Sequence, residues 1–167
     1  ADVESALSNK SFPWLSAKTI EIGMCPVNAI RVAYTGELGW ELHHPIEMQN
    51  YLWDRLLLAG SEYGLKLVGA RAQNWLRQEK SYRAFGTELG RDATPLEADL
   101  SRFIDLEKEF LGKEGMEKTG VRAKCVTLLI DGPNGADPWG REALYLENGT
   151  KVGRLTSGGY SVVFNKS

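Results

Sequence analysis

Residues 30–43 alternate between apolar and polar side chains on both sides of a glycine-containing turn. The apolar positions are Ile30, Val32, Tyr34, Trp40 and Leu42, and the glycines that bracket the turn are Gly36 and Gly39. Because successive side chains on a strand point to opposite faces, this pattern predicts a β-hairpin with one buried face. It also places a carboxylate, Glu41, on a strand that is predicted to be half buried.

Two later stretches have the periodicity of an amphipathic helix. Pro45 opens the first and Gly60 ends it, and we expect its apolar face to pack on the sheet. That face consists of Met48, Tyr51, Leu52, Leu56 and Ala59. The second helix is predicted from Ala70 to about Tyr82. Its charged side chains are explained most simply as a solvated face, and they are Arg71, Arg77, Glu79, Lys80 and Arg83.

The rest of the chain is predicted to consist of short elements. We expect residues 1–9, which are polar, to be frayed or in a loop. We expect strands at 18–24, 102–105, 121–130 and 160–164, and a short helix at 112–118. Residues 142–146 and 151–155 flank Asn148-Gly149, a dipeptide that favours the type I′ turn of a tight hairpin. The fold class is therefore α/β (α+β), with one domain at 1–119 and the start of a second subdomain, a β-barrel or a sandwich, at 120–167.

The composition is that of a well-cored globular chain. Its 167 residues are 43% hydrophobic and 25% charged. The 20 basic and 22 acidic side chains nearly balance, which argues against a nucleic-acid partner. No run approaches the roughly 18 consecutive apolar residues of a membrane span. Cys25 and Cys125 are too few for a disulfide scaffold, so we expect a reducing compartment.

Glu41 is the leading candidate for binding chemistry. A carboxylate beside Tyr and Trp side chains on a strand is either paired with a basic residue or kept for a ligand that offers hydrogen-bond donors. The residues alone favour the pairing explanation, because structural ion pairs outnumber binding sites, and they leave the ligand explanation open. His43 and His44 point to opposite faces of a strand and cannot chelate one metal, so no metal site is predicted.

A glycine-rich run at 156–160, TSGGY, offers two explanations. Its backbone N–H groups could cradle a phosphate, but a phosphate cradle normally leads into a helix N-terminus, and strand residues are predicted to follow here. A structural turn is therefore the preferred interpretation.

Five sequence blocks resemble one protein family, in the same order and with similar spacing. They are RVAYTGELGWEL (31–42), GARAQNWLRQEKSYRAFG (69–86), TPLEADL (94–100), FLGKEGM (110–116) and TSGGYSVVFNKS (156–167). The family is that of the folate-binding domain of the glycine-cleavage aminomethyltransferase. The resemblance is greater still to the C-terminal folate domains of dimethylglycine and sarcosine dehydrogenases.

This resemblance implies a tetrahydrofolate site. The family's glutamate at the place of Glu41 holds the pterin, whose ring N–H and exocyclic amine lie side by side and match the two carboxylate oxygens. Tyr34 would line the pocket, although by itself it also fits a core aromatic whose hydroxyl bonds to backbone. Tyr82 matches a second pocket tyrosine. Gln73 stands where the family has a folate-side arginine, and Arg71, two residues earlier, is the candidate substitute.

The resemblance also implies a function and a missing remainder. We expect transfer of a one-carbon unit from a small-molecule amine or methyl donor to tetrahydrofolate, in the cytoplasm or, in a eukaryote, the mitochondrial matrix. The family's catalytic aspartate would precede Ala1, so no catalytic residue is assigned and the chain is expected to be part of a larger polypeptide. A dehydrogenase-type parent would add an FAD domain. Gln73 favours the alternative of a non-catalytic folate-binding or regulatory relative, and an interaction module with an ion-paired Glu41 is a third possibility.

Overall fold

A three-stranded antiparallel sheet forms the centre of the first half of the chain. The computed structural model describes residues 6–131 and 137–167, and the chain separates into two units, Ala1–Gln73 and Asn74–Ser167. In the first unit, strands β1 (Ala17–Ile22), β2 (Cys25–Ile30) and β3 (Glu41–His43) lie in that order. The β1–β2 turn contains Gly23 at φ 63°, a left-handed conformation that glycine adopts without steric cost.

One face of this sheet is covered and the other is open. The alternate residues Cys25, Val27 and Ala29 of β2 are fully buried, and they pack with Phe12 and Leu52. Leu52 lies on helix α1 (Gln49–Gly60), which follows a 3₁₀ turn at Ile46–Met48. Around this core pack Met48, Tyr51 and Leu56 of the predicted apolar helix face. The prediction that this helix packs on the sheet is confirmed.

The predicted first strand of the hairpin is wrong. Strand β2 ends at Ile30, and β3 pairs with Asn28–Ile30, not with residues 32–34. The Val32 N–H donates to the Ile30 carbonyl at 2.9 Å, a γ-turn that bends the chain away from the sheet. The Arg31 side chain then bonds to the Phe12 carbonyl and the Asn9 side chain, which holds the chain in a loop.

The second unit contains fewer regular elements. Helix α2 (Ala70–Glu79) begins in the first unit and continues into the second, and helix α3 (Lys113–Thr119) and the antiparallel strands β4 (Ala143–Tyr145) and β5 (Lys151–Arg154) follow. The hairpin around Asn148-Gly149 is confirmed, but its turn is not type I′. Gly149 has φ 82° and donates to the Leu146 carbonyl at 2.9 Å, whereas Asn148 does not have a positive φ. This combination is typical of a longer hairpin loop.

Three of the predicted strands do not form. Residues 101–103 form a 3₁₀ turn, residues 121–130 are not in a strand, and residues 162–165 form a turn. The alternation at 121–130 predicts a buried face that includes Val126 and Leu128. These side chains are instead 58% and 46% exposed. Strand 18–24 and helix 112–118 are confirmed within two residues as β1 and α3.

The mixed fold class is confirmed in this coarse form. The β-barrel and the division after residue 119 stay predictions, and the predicted frayed stretch at 1–9 falls partly outside the described residues. Within the described ranges, no helix has both the length and the apolar character needed to cross a bilayer.

Two aromatic residues near the sheet should contribute very differently to the free energy of unfolding. Phe12 is fully buried and Trp14 is 67% exposed. We expect Phe12→Ala to lower the free energy of unfolding by about 3–5 kcal/mol through loss of burial and formation of a cavity. Trp14→Ala is the control and should cost under about 1 kcal/mol. Urea unfolding followed by circular dichroism measures both, and equal losses would contradict this description of the core.

Candidate functional site

Glu41 begins β3 on the open face of the sheet. It lies opposite Ile30 of β2, and Leu42 lies opposite Ala29 on the covered face. The Glu41 side chain is 56% exposed, and Leu42 lies on the covered face, which is the alternation expected of a half-buried strand. The reason is that α1 and Phe12 cover the face to which Leu42 points, and nothing among the described residues of this unit buries the Glu41 side.

The basic partner of Glu41 is His43, two residues along the same strand. Its Nε2 is 3.4 Å from Oε2 of Glu41, and the imidazole is 58% exposed. An exposed pair at this distance is strongly screened by water and contributes little to stability. The carboxylate oxygens therefore keep most of their capacity to accept hydrogen bonds from a ligand. An accessible carboxylate of this kind can accept two hydrogen bonds side by side, which matches the paired N–H groups of a pterin.

The other three predicted ligand residues lie in different parts of the chain. Tyr34 lies in the loop that leads to β3 and is 37% exposed, outside the buried core. Arg71 is exposed in the first turn of α2. Tyr82 belongs to the second unit and follows α2 directly. Glu41, Tyr34 and Arg71 thus share the first unit, and their joint site with Tyr82 stays a prediction.

A buried charged cluster in the second unit was not predicted. Arg77 of α2 is 2% exposed, and its Nη1 donates to Oε2 of Glu88 at 3.0 Å. The guanidinium also donates to the Ser157 hydroxyl at 2.6 Å, the Tyr82 carbonyl at 2.8 Å and the Asn74 side chain at 3.0 Å. The interpretation of Arg77 as part of a solvated face is therefore wrong, because its donors find partners inside the unit.

Glu88 is held in its ionised form. Burial opposes the charge, but hydrogen bonds from the Ser157 and Thr87 hydroxyls and from the Ala84 backbone N–H outweigh that cost. Together they lower the pKa of Glu88 from 4.5 to about 2. Because the carboxylate is already saturated with donors, we interpret this cluster as structural.

The glycine-rich run 156–160 packs closely against its neighbours. A Cβ atom on Gly158 would lie 2.3 Å from the Pro138 carbonyl oxygen, and one on Gly159 would lie 2.3 Å from the Trp75 ring. Ser157, between Thr156 and these glycines, is engaged with Arg77 and Glu88. Close packing explains the glycines and supports the structural interpretation of this run.

A second carboxylate, Glu97, also serves the structure. Its Oε2 accepts the Thr94 N–H at 2.8 Å, and the Thr94 hydroxyl accepts the Glu97 N–H at 3.2 Å. This is the reciprocal bonding of a capping box, formed here around a turn at 95–99, and its T-x-x-E signature was visible in the sequence but was missed. The Arg122 side chain and the backbone N–H groups of Thr94 and Arg122 hold the pKa of Glu97 well below its usual range.

Comparison with known proteins decides the family. Residues 1–108 match the family described as the GCVT N-terminal domain. The chain belongs to this family. The resemblance inferred from the five sequence blocks is thereby confirmed. The matched GCVT region includes β1–β3, both carboxylates Glu88 and Glu97, and ends before their partners Ser157 and Arg122.

The curated relatives of this GCVT-family chain are larger proteins. The chain is 42% identical to mitochondrial dimethylglycine dehydrogenase from Homo sapiens, over 96% of the chain and 19% of that protein. It is 34% identical to mitochondrial sarcosine dehydrogenase from Mus musculus, over 99% of the chain and 18% of that protein. An aminomethyltransferase from Caldanaerobacter subterraneus is 38% identical over 82% of the chain and 37% of that protein. The chain thus spans about a fifth of the length of the two dehydrogenases.

The buried cluster of this GCVT-family chain predicts a specific pH dependence of stability. The folded-state pKa of Glu88, about 2, lies below its unfolded value of 4.5. The cluster therefore contributes fully above about pH 4.5, and its contribution is lost as the pH falls toward 2. By linkage, this loss amounts to about 3 kcal/mol. We expect Glu88→Gln to cost about 3–5 kcal/mol at pH 7, because it leaves the buried Arg77 guanidinium without the negative charge that balances it.

The control for this variant is Glu114→Gln, which breaks an exposed pair with Lys118 at 2.6 Å. It should change the free energy of unfolding by less than about 1 kcal/mol. Urea unfolding of both variants between pH 2 and pH 7 is the measurement. A Glu88→Gln variant whose stability follows the parent at every pH would contradict the assignment.

Proposed function

We propose that this chain takes part in tetrahydrofolate-dependent one-carbon transfer by holding the pterin. The parent protein would be an aminomethyltransferase or a protein of the dimethylglycine and sarcosine dehydrogenase type. The observation that carries this proposal is the exposed Glu41 carboxylate, which lies in the region that matches the family. Its described partner is Nε2 of His43, at 3.4 Å. Membership of the GCVT family supports it, as do the names of the relatives.

Glu41 orients the pterin in this proposal. Its two oxygens accept the ring N–H and one N–H of the exocyclic amine, and charge-assisted bonds of this kind fix direction as well as affinity. The antiparallel pairing of β2 and β3 keeps the Glu41 backbone in register, so the carboxylate needs little reorganisation on binding. The ion-paired interaction module is the weaker explanation, because the Glu41–His43 pair is exposed and screened.

The remaining predicted ligand residues have secondary roles. Tyr34 would contact the pterin from the loop before β3, Tyr82 would line the pocket, and Arg71 would bind the anionic folate tail. When bound, tetrahydrofolate would supply the amine that accepts the one-carbon unit. The chain's part is to hold that ligand in place beside the carbon donor, an effect of proximity and orientation. We assign no catalytic residue within this chain.

The parent protein is expected to supply the rest of the reaction. A small-molecule amine or methyl donor is the co-substrate, and a dehydrogenase-type parent would carry FAD in a domain outside this chain. We also propose that residues 1–119 are folate-binding and that residues 120–167 begin a β-barrel subdomain, an arrangement that the β4–β5 hairpin supports. We expect the parent protein in the cytoplasm or, in a eukaryote, in the mitochondrial matrix. The mitochondrial dehydrogenases among the relatives support the second location.

A non-catalytic folate-binding relative is the second candidate. Gln73 favours it, because a neutral amide there replaces a cation that would bind the folate tail. Gln73 is exposed on α2, one turn beyond Gly69, whose carbonyl accepts its N–H at 3.1 Å. Both candidates require folate binding at Glu41, and they differ in turnover. One-carbon transfer measured with the complete parent protein separates them.

The decisive test is a fluorescence titration of the purified chain with tetrahydrofolate. We expect Glu41→Gln to weaken binding by about 10- to 100-fold, since the charged acceptor becomes an amide that offers one oxygen. The control is Glu21→Gln, an exposed carboxylate on β1 that pairs with Pro26 at the other end of the sheet. It should bind within about twofold of the parent. Equal binding by the parent and Glu41→Gln would remove Glu41 from the site.

Mass spectrometry tests whether the proposed site is shared with another polypeptide. Native and denaturing spectra of one purified sample are compared. A second polypeptide released only by denaturation would mean that the pocket is completed in trans, and catalytic activity could then be assayed directly. A single mass equal to this chain would mean that any catalytic role applies to the parent protein.

A further inference from the structure

The imidazole of His43 continues the line of hydrogen-bonding atoms that Glu41 begins. Both residues lie on the open face of β3, two positions apart, and Nε2 of His43 is 3.4 Å from Oε2 of Glu41. Read along this line, the protein offers two acceptor oxygens and then a ring nitrogen. That nitrogen carries a hydrogen in the imidazolium and in one of the two neutral tautomers.

A pterin presents the complementary set on one edge. Its exocyclic 2-amino group and its N3–H are donors, and the 4-oxo group beside them is an acceptor. When Oε2 of Glu41, the oxygen nearer to His43, accepts the N3–H and the other oxygen accepts the 2-amino group, the 4-oxo oxygen lies on the His43 side of the carboxylate. We propose that His43 is a specificity-determining residue, whose Nε2–H donates to the 4-oxo oxygen of the bound pterin.

Strand β2 adds a second polar side chain, Asn28, beside the place where His43 would donate to the 4-oxo oxygen of the ligand. Asn28 of β2 lies directly opposite His43, and Thr19 of β1 lies on the far side of Asn28. The Thr19 hydroxyl donates to Oδ1 of Asn28 at 2.9 Å. Because the two ends of a planar amide point apart, the donor nitrogen of Asn28 is turned away from β1. The amide nitrogen of Asn28 is therefore left to donate on the side of the sheet where His43 lies.

Beside the polar row of His43, Asn28 and Thr19, the strands β1 and β2 present apolar side chains on the open face. Ile30 lies opposite Glu41, and Ala17 lies opposite Ile30. The open face thus combines a small apolar surface with the polar row of His43, Asn28 and Thr19, and a flat heterocycle can lie over the first while its edge meets the second. Glu21 is the other acidic side chain of the three strands on this face, and it pairs with Pro26, beyond the Thr19–Asn28 row.

The test uses two ligands that differ at the proposed contact. Tetrahydrofolate has the 4-oxo acceptor beside N3–H, and its 4-amino-4-deoxy analogue has a donor in place of the oxygen and no hydrogen on N3, so each variant is compared with the parent chain for each ligand separately. Dissociation constants for both are measured by fluorescence titration of the full chain. We expect His43→Leu to weaken tetrahydrofolate binding about tenfold and to change binding of the 4-amino analogue by less than about threefold. The preference for the 4-oxo ligand therefore falls.

Two further variants separate specificity from simple structural effects. His43→Gln can still donate a hydrogen bond, so we expect it to restore tetrahydrofolate binding to within about threefold of the parent. His44→Leu is the matched control, because the neighbouring imidazole contacts the Pro45 carbonyl at 2.8 Å and points to the other face of the strand. It should leave both dissociation constants unchanged.

The outcomes distinguish this proposal from the proposed function. If His43→Leu weakens both ligands equally, His43 only orients Glu41, and the specificity role is overturned. If His43→Leu changes neither, the contact does not exist. If tetrahydrofolate binding does not depend on Glu41, or the chain binds neither ligand, the proposed function fails and this inference fails with it.

Discussion

The pairing of Leu42 with Ala29 on the covered face of the sheet decides where each polar group of the candidate site points. Phe12 and Leu52 pack against this face, and burial of these apolar side chains fixes the register of the short strand β3. A shift of one residue would bury the Glu41 charge and expose the Leu42 side chain, and both changes would cost free energy of folding. The position of the candidate ligand residue is thus a consequence of hydrophobic packing on the opposite face.

The carboxylates of this chain illustrate two uses of a negative charge. Glu88 and Glu97 are buried, saturated with donors from the chain itself and shifted to low pKa values. Such groups are committed to the fold and have little left to offer a ligand. Glu41 is exposed and shares one long contact with His43. The same side chain is structural where the chain supplies its donors, and it is available for binding where water supplies them.

Local patterns predicted the elements that depend on near neighbours in sequence. The amphipathic face of α1, the Asn-Gly hairpin and the common face of Glu41 and His43 follow from the periods of helices and strands. The capping box at 94–97 belongs to the same group, although it was missed. The five ordered blocks identified the family, because several weak motifs in one order are together far more specific than any one of them.

By itself, the sequence determined the family, the mixed fold class and the placement of Glu41 and His43 on one face of a strand. The tertiary structure decided which polar groups are consumed and which stay accessible. Arg77 was expected on a solvated face and is buried, because Glu88 and Ser157 are brought to it from far along the chain. The strand expected at 121–130 did not form, because alternation reports a preference for burial and cannot supply the partner that provides it. Satisfaction of hydrogen bonds depends on neighbours in space, and those exist only once the chain has folded.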